Sequence, residues 1–334
     1  MNSVMLLRFA LFLAFTTSVA LASSEENINQ QLDVSSGGNL VVDVAFGTIE
    51  VASGANNSVS IEAHRKIETT DAAKEKEYLA DVPIVITKEG NTVMIRARRT
   101  EEKSWSWTGS TNMDARYAIR VPKNFNLDLK TGGGTISAND VTGEIKVATG
   151  GGKLKLAQLK GPLDAKTSGG SIRLDACDGV LNVKTSGGEI KAHSGGGSLD
   201  ARTSGGSIAV QDFNGDTVVK TSGGQLTFAN VRGKMIGKTS GGSISAALLS
   251  PLPGEVDLAS SAGSIVLSVP TDTALNLEAQ TSVGTVSNDL PIVTSRCERD
   301  ELKGAVNGGG KSVILRSSAG SISIRATAPE TAMQ

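Results

Sequence analysis

Aromatic residues make up only 3% of the 334-residue chain, with two tryptophans and two tyrosines. A globular enzyme of this length normally fills its core with more rings, so a conventional mixed core is disfavoured. Histidine and cysteine are equally scarce, at two each. That excludes a disulfide framework and leaves no cluster with metal-ligand spacing, so no metal or cofactor is expected. Cys177 falls at a position that is otherwise apolar in related segments, which favours a buried free thiol over a long-range bridge to Cys297. Formal charge is −1, so there is no overall basic field of the kind nucleic-acid binding calls for. The apolar run from Phe9 to Phe15 is too short to span a bilayer as a permanent helix. Preceded by Arg8 and followed by Ala20-Leu21-Ala22, it reads as a signal peptide over residues 1–22. The mature chain is therefore expected to be exported, periplasmic or at the cell surface, without a transmembrane segment.

Glycine is what the chain has in abundance, with 39 residues. Much of it sits in a Thr-(Ser/Gly)-Gly-Gly signature that begins at Thr131, Thr149, Thr167, Thr185, Thr203, Thr221 and Thr239, a constant step of 18 residues. A repeat this short cannot bury an apolar face alone and must stack on its neighbours. Counting from each Thr, position five reads Ile136, Leu154, Ile172, Ile190, Ile208, Leu226 and Ile244, and position seven is apolar too. Position ten is apolar in all but one repeat, where Gly195 stands. Position twelve is glycine from Gly143 to Gly233, and positions fourteen and sixteen form a second alternating pair. Two apolar residues flanking a variable one mark a strand with one buried face. Each coil thus has two strands and two corners, and glycine at both corners is expected to supply positive φ.

The expected fold is all-β: a single-chain parallel β-solenoid of about 18 residues per coil, with right-handed winding favoured by the crossover rule. After Thr239 the turns recur at Ser260, Thr281 and Ser317, and the Ser317 turn is expected to close the array. The stretch from Ser295 to Gly310 reads as a loop leaving one coil. The expected organisation is a signal peptide over 1–22, a strand-rich lead-in or cap over 23–125, solenoid repeats over 126–327 with an insertion near 295–310, and a flexible tail over 328–334. The lead-in shows alternating runs with hairpin connections and one helix over Asp71 to Ala80. Ser35-Ser-Gly-Gly-Asn-Leu echoes the repeat, so this region reads as irregular first coils as well as a lid.

With the Thr-Ser-Gly-Gly-Ser-Ile repeats, the Tyr117-Ala-Ile-Arg-Val-Pro segment and the Val121-Pro122 step into the array, the chain resembles the bacterial putative-adhesin family. The resemblance covers roughly Asn27 to Ala326. It implies an exported, envelope-associated β-solenoid of unknown function and carries over no catalytic residues.

The residue before each repeat's Thr is Lys130, Ala148, Lys166, Lys184, Arg202, Lys220 and Lys238, with Arg316 at the Ser317 turn. Strand alternation points this position outward, so the cations form a vertical ladder. Asp164 and Asp200 lie two residues earlier on the same face and partly neutralise it. One reading is an anion-binding stripe for acidic polysaccharide, lipopolysaccharide phosphates or teichoic acid. The other is a solubilising edge that deters lateral strand addition. On a strand Trp105 and Trp107 would share one face and make a second binding candidate, suited to sugar rings or a protein partner, or equally to packing on the first coil.

Other readings have less behind them. The place of a calcium-roll carboxylate holds Ser171, Glu189, Ser207, Gln225 and Ser243. The Thr column sits at corners, where stacked hydroxyls serve turn backbone groups better than ice. The glycine turns lack the ending of a phosphate loop. His193 lies one coil above Asp175 on an outward column, the one acid–base pair in the array. The preferred function is a non-enzymatic exported scaffold or adhesion module. The alternatives are a polysaccharide-degrading β-helix enzyme using Asp175 and His193, and a self-associating structural protein.

Overall fold

Equivalent residues of successive coils stand side by side. Ile172 pairs with Leu154 on one side and Ile190 on the other, and Ile190 pairs in turn with Ile208, all in parallel strands. The same holds across the other strand of each coil, where Leu163 pairs with Ile145 and Leu181. This computed structural model describes residues 24–69, 72–98 and 111–329. The two strands of every coil belong to different sheets, one of 14 strands and one of 15. Short strands such as Ile172–Asp175 build the first, and strands such as Leu163–Thr167 build the second. Their burial alternates residue by residue, as the period of two requires. The inward residues of both sheets merge into one continuous apolar core that runs the length of the stack. The chain is a parallel β-solenoid.

The two corners use glycine for different reasons. At position twelve, φ is positive at Gly143, Gly161, Gly179, Gly197 and Gly215, as expected. The residue three places earlier is also left-handed although it is not glycine: Asp140, Gln158, Ala176, Ser194, Asp212 and Asn230 all have φ between 51° and 55°. The Thr-(Ser/Gly)-Gly-Gly corner meets the expectation only at Gly134 and Gly284, towards the two ends of the array. Among its glycines from Gly150 to Gly242, none has a φ in the left-handed region. What it requires is room. A Cβ on Gly206 would lie 1.9 Å from the carbonyl oxygen of Gly188 in the coil below, whereas one on Gly205 meets nothing nearer than 3.7 Å. The later turns respect this distinction: Ala262, Val283 and Ala319 replace the tolerant glycine, while Gly263, Gly284 and Gly320 keep the crowded one.

Core volume is also traded between coils. Gly195, the exception at position ten, lies beneath the ring of Phe213, which a Cβ there would meet at 3.0 Å. Gly237 likewise leaves space for Phe228 and Leu258. Large rings are accommodated by small neighbours, which keeps the pitch constant.

Both ends are wound out of sequence order. Gly38–Val44 and Thr48–Ser53 form a coil that stacks directly on Phe125–Thr131 and Ile136–Asn139. Outside it lie Thr92–Ala97 and Thr111–Val121, a later coil placed further out. The other end mirrors this. Lys311–Ala319 and Ile322–Thr327 slot between the coil of Val256–Ser260 and Ile265–Pro270 and the coil of Leu275–Val283 and Val286–Asn288. The Ser317 turn therefore does not close the array; the Thr281 turn lies beyond it. Nor is 295–310 a loop. Ile292–Cys297 and Glu301–Val306 form an antiparallel hairpin that extends the 15-stranded sheet, with Leu302 and Val306 buried.

At the opposite end antiparallel strands Ser24–Asp33, Ser58–Thr69 and Val85–Glu89 finish the two sheets. Ending a parallel stack in antiparallel strands and charged edges limits further strand addition. The helix expected over 71–80 spans Ala72–Asp81. It packs through Tyr78 on a small apolar cluster with Ile67 and Val82. Beneath it Arg65 is buried, bound to Glu26 at 2.6 Å and donating to the Val82 carbonyl.

Candidate functional site

The basic column exists as a column because parallel register repeats one side-chain direction at every coil. Lys166 stands beside Lys184, Lys184 beside Arg202, Arg202 beside Lys220, and Lys220 beside Lys238. Lys130 is separated from this run by Ala148. Past Lys238 the column continues through Ala259 to Arg316 and then Gln280, an order visible only once the final coil is placed. All these cations face solvent, Lys220 half-buried and the others more open.

Like charges at strand spacing, about 4.8 Å, repel, and the neighbouring outward column relieves part of that repulsion. Asp128 binds Lys130 at 3.0 Å and Asp164 binds Lys166 at 2.6 Å. Asp200 takes both Nε and Nη2 of Arg202 at 2.7 Å, and this carboxylate raises the guanidinium pKa. Asp257 lies between Lys238, at 3.8 Å, and Arg316, at 3.3 Å. Lys184 and Lys220 have no carboxylate within salt-bridge distance among the described residues, because Asn182 and Val218 occupy the places where an Asp would stand. The column therefore alternates between neutralised and free cations along its centre. Sequence reasoning found Asp164 and Asp200 by the two-residue offset. The same offset marks Asp128, which it passed over, whereas Asp257 stands two residues before Ala259 and meets Lys238 and Arg316 only through inter-coil register.

A shorter basic run lies on the other sheet and was not anticipated. Lys155, Arg173 and Lys191 are adjacent in register. Glu189 binds Lys191 at 3.0 Å and Asp175 approaches Arg173 at 3.7 Å. The period-two pattern that exposed the first column contains this one as well, at position six of three successive repeats.

The threonine column is structural. Each hydroxyl donates to a glycine carbonyl one coil below, as Thr203 does to Gly188 at 3.0 Å, and accepts from the amide three residues ahead, here Gly206 at 3.3 Å. The pattern repeats from Thr149 to Thr239 and passes to Ser260 with its hydroxyl chemistry intact. These side chains are buried and unavailable to a ligand.

His193 does meet Asp175, with Nδ1 3.2 Å from the carboxylate, and its Nε2 lies 3.4 Å from Asp212. Both His193 and Asp175 are more than two-fifths exposed. The exposed Ser194 hydroxyl also lies 2.9 Å from His193 Nδ1, so the group joins a hydroxyl, an imidazole and two carboxylates, but in open solvent without the water exclusion that would strengthen it. Cys177 is buried and Cys297 exposed, both as free thiols, and burial pushes the Cys177 thiol pKa up. Trp105 and Trp107 lie outside the described residues.

No helix among the described residues is long and apolar enough to cross a membrane, and no group of three or more His, Cys, Asp or Glu is arranged to hold a metal ion. The family model Toastrack DUF4097 matches residues 38–325. Three solved structures are similar in architecture. A putative cell adhesion protein from Clostridium sporogenes is 12% identical, with 90% of this chain and all of that one covered and a TM-score of 0.24. A putative lipid binding protein from Parabacteroides distasonis is 14% identical, covering 90% and 96% at a TM-score of 0.42. A putative adhesin from Bacteroides fragilis is 12% identical, covering 91% and 98% at 0.36. No curated protein matches the chain.

Proposed function

The chain belongs to the Toastrack DUF4097 family, and from that premise we propose that it is an exported, non-enzymatic binding module of the cell envelope that holds anionic polymers along its basic edge. The observation that carries this reading is the register of Lys166, Lys184, Arg202, Lys220 and Lys238 on adjacent parallel strands. A line of cations at a fixed repeat matches a polymer with charges at a fixed repeat, and each further contact adds avidity without a new site. Lys184 and Lys220 carry most of the free charge, since they lack the carboxylate partners that Lys166, Arg202 and Lys238 have. The arrangement costs the fold some repulsion, which a polyanion would relieve. Export is read from the signal-like N-terminus.

The test replaces Lys166, Lys184 and Arg202 with Gln and measures binding to immobilised dextran sulfate and polygalacturonate across salt concentrations. Exposed charge pairs are each worth about 0.2–1 kcal/mol. Removing all three should therefore weaken binding by about threefold to 100-fold at low salt and flatten its salt dependence. Unchanged affinity and unchanged salt response would remove the reading.

A further inference from the structure

At the C-terminal end the basic column runs into a groove of about 540 Å³. We propose that this groove is a specific site for a sugar unit bearing a tetrahedral oxyanion, phosphate or sulfate. The inference rests on the basic column being an anion-binding edge and names the group that one end of it recognises.

Three cations line the groove, Lys220, Lys238 and Arg316, and no carboxylate does. Their spacing is created by Ala259, which occupies the column position between Lys238 and Arg316. A methyl group there leaves a gap two strand spacings wide where every central coil carries a long side chain. Asp257, in the adjacent outward column, holds Lys238 from 3.8 Å and Arg316 from 3.3 Å. It steadies both and neutralises one of the three cations, so a net excess of two positive charges faces the gap.

The second wall is made of hydroxyls. Ser240, Ser261, Ser318 and Ser282 follow one another across neighbouring turns, each just after the buried Thr or Ser of its corner. The buried residues are committed: Ser260 donates to Gly242 at 2.9 Å and Ser317 to Gly263 at 3.1 Å. The four outer serines make no side-chain hydrogen bond among the described residues, and the same is true of the Gln280 amide. Cations on two sides of a gap suit an anion whose oxygens point in several directions, as a tetrahedral group's do. Free hydroxyls and an amide alongside them can both donate to and accept from sugar hydroxyls. The volume falls within the range of about 300–1,000 Å³ common to small-ligand sites.

The site is assembled by the out-of-order winding. Arg316 reaches Ala259 and Gln280 only because the coil of residues 311–327 is inserted before the one that precedes it in sequence.

Calorimetric titration of the intact chain with mannose 6-phosphate, a sulfated tetrasaccharide and glucuronate tests the proposal. Binding of the phosphosugar or the sulfated sugar is expected, which separates the two sources of the oxyanion. Glucuronate should bind at least about tenfold more weakly. Arg316→Gln should weaken the preferred probe about tenfold. Ala259→Leu, an outward substitution that fills the gap, should do the same, with thermal unfolding checked for each variant. Lys88→Gln, on the strand Val85–Glu89 at the opposite end of the stack, should leave it within about twofold. Absence of binding by both charged sugars, equal affinity for glucuronate, or indifference to both groove variants would each overturn the site. If the groove variants are indifferent while the column variants lose polymer binding, the groove alone is refuted. If the sugar probes respond to the groove variants but polymers ignore the column, the groove stands and the polymer reading falls.

Discussion

The Thr-Ser-Gly-Gly corner yields a sharp prediction, because two adjacent glycines there have opposite reasons to exist. Gly206→Ala places a methyl 1.9 Å from the Gly188 carbonyl oxygen, and relief requires opening that contact towards the 3.4 Å of ordinary packing. The obstacle is backbone in the coil below, so no side chain can swing away. An opening of that size would break the neighbouring inter-coil hydrogen bonds, including Gly205 N to Ser186 O at 2.9 Å and Ile190 N to Ser207 O at 3.0 Å. Two lost hydrogen bonds at about 1 kcal/mol each, with overpacking strain of about 1–3 kcal/mol, give an expected destabilisation of about 3–5 kcal/mol. Gly205→Ala meets nothing within 3.6 Å and has no left-handed φ to lose. It should be neutral or stabilise by about 0.4–1 kcal/mol through the unfolded chain. Guanidinium unfolding followed by circular dichroism measures both variants, and hydrogen exchange at residues 186–208 locates the damage. Comparable effects of the two substitutions, or a Gly206→Ala change below about 0.5 kcal/mol, would refute the reasoning.

Other consequences can be checked as directly. Thr203→Val keeps the shape but removes the hydroxyl that serves Gly188 and Gly206. A loss of about 1–3 kcal/mol is expected in the same unfolding assay, whereas Thr203→Ser, the residue already used at positions 260 and 317, should cost much less. Thiol titration with a chromogenic disulfide reagent should report one fast thiol, Cys297, in the folded chain, and a second, Cys177, only on unfolding. Two fast thiols, or none, would contradict the observed burial or the absence of a bridge.

Much of the fold was legible because a solenoid is nearly one-dimensional: each coil touches its neighbours, and a fixed period specifies every contact. The inward ladder of Ile172, Ile190 and Ile208 and the outward ladder of Lys184, Arg202 and Lys220 follow from the same arithmetic. The two ends obey no period, so their order was not legible. Nothing local distinguishes a coil that stacks next from one that is inserted one place back, since both present the same apolar alternation. The hairpin at 292–306 was missed for a related reason: Leu302 and Val306 share one strand face, but Gly304 between them interrupts the apolar alternation. The positive φ at Gln158, Ala176 and Ser194 carries no residue-type signal; only Asp140, Asp212 and Asn230 are of the types that favour it.

The amino-acid sequence by itself determined the coil, its core columns, the buried hydroxyl ladder and the direction in which the basic residues point. These are set by spacing, and spacing survives without knowledge of distant contacts. Only the tertiary structure decided which glycine of each corner is obligatory, which cations lack a carboxylate, and that Arg316 faces Lys238 across Ala259. Those depend on which backbone lies one strand spacing away, and at the ends of the stack that neighbour comes from a remote part of the chain.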